Sequence, residues 1–358
     1  MISPVVHLLV TKVLRNLSHI GEDHLVSQTV MAPAASIPAK RDLTTKPRFS
    51  DKVFRGVVTS GALSSLLILG LIFFFLTYQG FSVLRSQGIH FITGSNWQVV
   101  LDSTGNIDPK ATQFGIAAML IGTMLCAIIA IVVALPISVL SALFLNFYAP
   151  SFLKKIMVSV VDLMAAFPSI LFGLWGFFVL MPSAEYWAKL LHKYLGFLPF
   201  FKMEVPIFTR SPFIAGLVLA IMVIPIVTSV SREIFSQTPL DRIQAAYALG
   251  ATRWSMIRAV VLPYGRSGIV GGAMLGLGRA MGETVAVYTV LNVVYQVNWH
   301  VLLGAGGNIA SMILLKFGDA GPQEIKALMA AGLVLFLLTL IVNSVADFIV
   351  ARSGGNGR

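Results

Sequence analysis

Charge is scarce in this chain. Only 11% of its 358 residues are Asp, Glu, Lys or Arg, whereas a soluble domain needs about 25% to cover its surface. With 56% hydrophobic residues and a mean hydropathy of +0.84, much of the outside must meet a solvent other than water. Cysteine is almost absent as well: Cys126 stands alone inside an apolar run, which excludes intramolecular disulfides and thiol metal clusters and makes it a packing residue. No His or Cys cluster points to a metal. No G-x-x-x-x-G-K-[ST] loop occurs, nor any Gly-Lys dipeptide, so this chain does not handle ATP by a phosphate-binding loop. The net charge of +11 is read as the excess of Lys and Arg that loops on the inner side of a membrane collect, not as a nucleic-acid surface.

What is present is apolar length. A helix rising about 1.5 Å per residue needs about 20 residues to cross the hydrocarbon. Six segments qualify: Val57–Tyr78, Phe114–Leu145, Ile156–Leu180, Phe213–Val230, Ile269–Val290 and Ala327–Val350. The expected class is therefore an all-α integral membrane protein with six transmembrane helices. Pro136, Pro168 and Pro225 are read as kinks in the second, third and fourth. Placing both termini in the cytoplasm puts roughly twice as many basic residues inside as outside. Before the first span, Val6, Leu9, Val13, Leu17 and Ile20 fall at the spacing of a surface-lying amphipathic helix, and 27–50 have the composition of a flexible tail. A start at Met31 would make the first thirty residues an artefact. The outer loops, 85–111 and 182–211, carry Trp97, Trp187 and Tyr194, which fit either headgroup anchoring or an external docking surface.

The stretch Thr238–Val287 joins two kinds of sequence. Thr238-Pro239-Leu240-Asp241 predicts a helix start with Thr238 as N-cap, and Leu240, Ile243 and Tyr247 are expected along one face. Gly250 is expected as a left-handed stop. Thr252 opens a second short helix, expected to run to Pro263. Arg242, Arg253 and Arg258 keep both out of the bilayer. Beyond them Gly268, Gly272 and Gly276, and then Gly278 and Gly282, recur every four residues, a spacing that lets backbones approach closely in lipid.

Arg279 falls about 15 Å along the fifth span from Ile269, close to the bilayer midplane. An arginine there costs about 2.5–3.5 kcal/mol on insertion scales, so it tends to mark a pathway. Glu283, four residues on, is expected on the same helix face. The guanidinium offers a two-point grip for an oxyanion, and a carboxylate beside it tolerates only an anion that still carries a proton, as phosphate does and sulfate does not. The competing reading is an ion pair that merely makes the helix insertable. Asp162, expected about 9 Å inside the third span, is read as a structural or coupling acid.

Gln244, Ala245-Ala246, three residues, Gly250, nine residues and Val260-Val261-Leu262-Pro263 resemble the coupling motif EAA-x3-G-x9-I-x-LP of ABC-importer permeases. Gln244 replaces the usual Glu and Val260 the usual Ile. Leu275 to Val287, LGLGRAMGETVAV, and Val161 to Leu180, VDLMAAFPSILFGLWGFFVL, look like the fifth and third spans of the phosphate-specific importer's PstC-type permeases. The resemblance implies a type I ABC-importer permease fold with cytoplasmic coupling helices, in a bacterial inner membrane. It covers nearly everything from about Val57 to Arg352, so the chain is expected to divide into a basic cytoplasmic tail outside the resemblance (1–55), a first helix with its external loop (56–112), a permease domain (113–352) and a short tail (353–358). It implies that Arg279 and Glu283 line the substrate pathway and that Gln244, Ala245, Ala246, Gly250, Leu262 and Pro263 couple it to an ATPase. The partners implied are a PstA-type permease, a PstB-type ATPase dimer holding ATP and Mg2+, and an external PstS-type phosphate-binding protein. No cofactor is expected on this chain. A sulfate or molybdate permease, an ion-coupled secondary transporter and a membrane scaffold remain as alternatives.

Overall fold

The computed structural model describes residues 48–100, 108, 111–203 and 205–354. The amino-terminal helix and tail read from 1–47 lie outside them, as does the side chain of Asp347. The chain divides into two compact units after Ala62. Helix α1 (Phe49–Gln87) begins in the first, where residues 49–62 are exposed, and ends in the second. It starts eight residues before the expected span because the Asp51 carboxylate accepts from the backbone N–H of Arg48 at 3.2 Å, a polar start that hydropathy does not register.

A two-residue ladder, β1 (Trp97–Gln98) against β2 (Gln113–Phe114), closes the following loop. Helix α2 (Ala117–Phe147) contains Pro136 and buries a row of small residues, Ala127, Ala130, Ala134 and Ala142. The third expected span is divided differently. A separate helix α3 (Ser151–Ala166) ends before Pro168, and the spanning helix α4 (Ser169–Leu195) begins after it. Proline drives its predecessor out of the helical region, and Phe167 is extended at ψ 138°. Within α4 a π-turn covers Gly176–Leu180. Helix α5 (Pro212–Ser236) follows, then the short α6 (Leu240–Ala248) and the long α7 (Arg253–Gly282). The chain closes with α8 (Val285–Val290), α9 (Ile309–Phe317) and α10 (Pro322–Gly354). Six of these helices are long and apolar enough to cross a membrane.

Two helix pairs set the frame. Cys126 Sγ reaches Pro212 O at 3.8 Å, Ser138 Oγ donates to Ile224 O at 3.1 Å, and Asn146 Nδ2 donates to Arg232 O at 2.7 Å. The offset is 86 residues every time, so α2 and α5 run parallel and in register. Parallel neighbours require a return crossing between them, which α4 provides. Helix α7 packs antiparallel to α5: a Cβ on Gly268 would collide with Ile234, one on Gly276 with Val223. The glycine row is what allows that approach. Ala280, Met281, Ala286, Val287 and Val290 complete the core between α2, α4 and α5.

Candidate functional site

The stretch after Thr238 folds as a short, exposed helix closed by a glycine turn. Helix α6 buries no residue fully; Ile243 and Ala246 lean on a cluster formed by Ala142, Leu143, Phe235, Met256, Ile257 and Val261. Leu240 and Tyr247, expected along one face with Ile243, are exposed while Ile243 packs inward; the helix also begins later than its sequence signal. Pro239 rather than Thr238 is the N-cap, and the Thr238 hydroxyl is buried without a hydrogen-bond partner. The C-terminus follows expectation. Gly250 has φ +80°, its N–H bonds Tyr247 O at 2.9 Å, and Ala251 N bonds Ala246 O at 3.0 Å. This is the paired closure that needs a left-handed residue. Gln244 and Ala245 are exposed, and Leu249, next to the turn, is 90% exposed. Leu240 and Tyr247 on α6, Leu249 just after it and Trp254 at the start of α7 are all exposed and together leave an apolar surface open.

Thr252 caps the next helix by accepting from Ser255 N at 3.2 Å, as expected. That helix does not stop at Pro263. It passes through a π-turn, Ile257–Val261, and continues without a break to Gly282. Proline removes one donor and its ring crowds the carbonyl four residues earlier; the wider turn just before Pro263 accommodates both. Leu262 is half-buried against the Phe235 cluster and Pro263 is exposed. Arg253 ties the start of α7 to the end of α2, its Nη1 3.4 Å from Phe147 O and its guanidinium 5.7 Å from the Tyr148 ring.

Arg279 lies in the last turn of α7, on an exposed face where Gly271, Gly278 and Gly282 meet no neighbour within 4 Å. Glu283 does not share that face on one continuous helix. The helix ends at Gly282, Glu283 is extended (φ −69°, ψ 125°), and α8 starts two residues later. The fifth span expected over Ile269–Val290 is thus broken. Among the described residues no ion pair joins Arg279 to Glu283. The carboxylate instead places Oε1 3.4 Å from Ala286 N, in the first turn of α8. Broken backbone inside a membrane needs replacement partners. Here Asn308 Nδ2 donates to Glu283 O at 2.7 Å and Thr284 Oγ1 to Gly282 O at 3.2 Å. The far end of α8 is held too: Arg210 Nη1 donates to Asn292 Oδ1 at 2.6 Å and its guanidinium lies 5.0 Å from the Phe177 ring. Arg210 does this from φ 52°, a left-handed backbone that a non-glycine residue adopts only under constraint.

Asn308 and Arg210 were not legible as site residues. Asn308 did carry a signal, since Asn followed three residues later by Ser ahead of an apolar run reads as a helix cap. Nothing local connects it to Glu283. Asp162 is the other correction: it sits on α3, exposed, on the far side of Pro168 from the spanning helix, and not inside a span. At the start of α10, Trp97 Nε1 donates to Glu324 Oε1 at 2.7 Å and Lys316 Nζ lies 3.7 Å from the same oxygen. Tyr295 stacks on Trp97 at 6.2 Å, and burial, with the Glu324 charge adding to it, pushes its phenol up to about 12. Among the described residues no His, Cys, Asp and Glu cluster could hold a metal ion.

Residues 134–354 match the model of the family described as "Binding-protein-dependent transport system inner membrane component". The chain is 40% identical over 302 residues to phosphate transport system permease protein PstC 2 of Mycobacterium tuberculosis, covering 84% of this chain and 91% of that one. It is 44% identical over 285 residues to PstC of Mycobacterium leprae, covering 78% and 86%. Among solved structures, a bacterial ABC transporter involved in the import of the acidic polysaccharide alginate aligns at a TM-score of 0.51 and 16% identity. That alignment covers 84% of this chain and 99% of that one, and the likeness is one of fold.

Proposed function

We propose a function from one premise: the chain belongs to the family of binding-protein-dependent transport system inner-membrane components, among its PstC-type phosphate permeases. It is a transport component of an inner membrane and serves as a permease subunit of an ATP-driven phosphate importer. It forms half of a translocation pathway, the other half coming from a PstA-type permease. ATP and Mg2+ belong to a PstB-type ATPase dimer, and a PstS-type protein delivers phosphate from outside. Both termini face the cytoplasm, as the basic residues favour.

The observation that carries the coupling is continuity. One helix, Arg253–Gly282, starts beside the exposed, capped α6 and ends in the turn that holds Arg279. Closure of an ATPase groove on α6 and Leu249 would move this helix as a rod and displace its far end. At that end the guanidinium of Arg279 grips two phosphate oxygens. Glu283 accepts a hydrogen bond from the proton that phosphate keeps near neutral pH, and a fully deprotonated anion such as sulfate leaves it unpaired and repelled. The break gives this carboxylate a position of its own, off the arginine's helix face.

The test is ATP hydrolysis by the reconstituted complex with its binding protein. Phosphate should stimulate it and sulfate should not; equal stimulation would favour a general oxyanion permease. Arg279→Gln should assemble normally and lose phosphate uptake by at least about a hundredfold, as expected for a lost charge-assisted contact of ~3 kcal/mol. Normal uptake by a well-expressed Arg279→Gln complex would sink the pathway reading.

A further inference from the structure

We infer that Asn308 is a positioning residue of the pathway: its side-chain amide holds the break between α7 and α8, and so decides where Glu283 stands. This rests on the pathway reading above for its functional meaning, but not for its geometry.

The two ends of the amide do different work. Nδ2 donates to Glu283 O at 2.7 Å, and Oδ1 accepts from Ser311 N at 2.7 Å. The orientation is forced, because a carbonyl needs a donor and a backbone N–H needs an acceptor. Asn308 is 1% exposed, so no water replaces either bond. Its own backbone is equally tied. Asn308 N donates to Ser311 Oγ at 3.3 Å, and its carbonyl accepts from Ser311 Oγ at 3.1 Å and Met312 N at 3.0 Å. The next residue, Ile309, donates its N–H to Thr123 Oγ1 at 3.1 Å, and that hydroxyl donates to Met119 O at 2.7 Å. A chain of buried bonds thus runs from α2 through the start of α9 to the carbonyl of Glu283. A slide of α2 against α7 must stretch the Asn308–Glu283 bond or move the carboxylate with it.

Capping alone does not require this residue. An ionised Asp would cap α9 as well but has no proton to donate; the Asn amide caps it through Oδ1 and donates to a carbonyl through Nδ2. Asn308→Asp isolates the second task. Ionised, the Asp keeps the cap, loses the donor and sets its charge against the Glu283 carbonyl. Protonated, it regains a donor. The titratable and charged groups on the elements around it include Arg279 and Glu283 at the end of α7, Cys126 on α2, Tyr288 on α8, Lys316 on α9, and Glu324 and Lys326 on α10. All are shared with the unmodified protein, so the ratio of variant to unmodified uptake isolates the new group.

The experiment uses the full complex in proteoliposomes. In a Cys126→Ala background, Thr284→Cys reports the break through its rate of modification by a charged methanethiosulfonate. Adding Asn308→Asp should change that rate by about fivefold or more, the least that leaving a buried carbonyl unpaired should produce. The uptake ratio of Asn308→Asp to unmodified complex should fall as pH rises. Ser311→Ala, which removes one half of the reciprocal cap but not the Glu283 bond, should do neither. Unchanged labelling with a flat uptake ratio would overturn the inference, and so would Ser311→Ala matching Asn308→Asp in both readouts. If Arg279→Gln transports normally while labelling still responds to Asn308→Asp, the pathway reading fails and the positioning of the break stands.

Discussion

At the scale of single residues, the informative ones are polar groups whose partners are remote or missing. Tyr295 has a buried hydroxyl without a hydrogen-bond partner, stacked on Trp97 beside Glu324. An orphaned hydroxyl costs about 1–3 kcal/mol relative to a satisfied one. Tyr295→Phe should therefore leave stability unchanged or raise it by up to ~1 kcal/mol, read as a thermal midpoint in detergent. A clear loss would mean that the hydroxyl has a partner. The pH dependence follows the raised phenol, about 12 against an ordinary 10. The unfolded chain releases this proton first, so the stability tied to the neutral phenol is fully present below about pH 10 and is lost as pH rises toward 12. Ultraviolet titration should lose its highest-pH phenolate component in Tyr295→Phe. The sequence offered Trp97 for headgroup anchoring or an external docking surface; it is instead buried with its indole on Glu324, 227 positions along the chain.

At the scale of elements, glycine spacing was legible and the use of each glycine was not. The four-residue rhythm places Gly268, Gly272 and Gly276 on one face, and that face meets α5 through Val223, Val230 and Ile234. Gly271, Gly278 and Gly282 face open space instead, with no neighbour within 4 Å of an added Cβ. Gly276→Leu should drive α5 and α7 apart and destabilise the protein by ~1–3 kcal/mol or prevent its assembly. Gly271→Ala should fold as the unmodified chain does. Gel filtration and thermal midpoints of the two purified variants separate them, and equal behaviour would refute the packing assignment. The prolines divided in the same way. Pro136 and Pro225 sit inside continuous helices, but Pro168 ends one element and starts another. Composition cannot tell these cases apart, because the outcome depends on what receives the freed carbonyl.

At the scale of the whole molecule, α7 links the two ends of the candidate machinery, and the proposed coupling would have an ATPase act on α6 and Leu249. Leu249 is almost fully exposed while its backbone is locked by the Gly250 turn. Leu249→Asp should leave folding untouched and weaken association with the ATPase by at least about tenfold, the worth of one buried apolar anchor. Co-purification of the ATPase with this variant at the unmodified ratio would show that the partner docks elsewhere.

The sequence by itself determined the membrane class, the apolar spans, the left-handed stop at Gly250 and the Thr252 cap, because each depends on residues within a few positions of one another. It also placed Arg279 in a span. The tertiary structure decided where the fifth span breaks, that Glu283 leaves the arginine's helix face, and that Asp162 lies outside the spanning helix. A continuous helix is the local optimum around Gly282, and the deciding bond comes from Asn308, 25 residues away on another element. In lipid such a bond outweighs local preference, since no water offers the broken backbone an alternative.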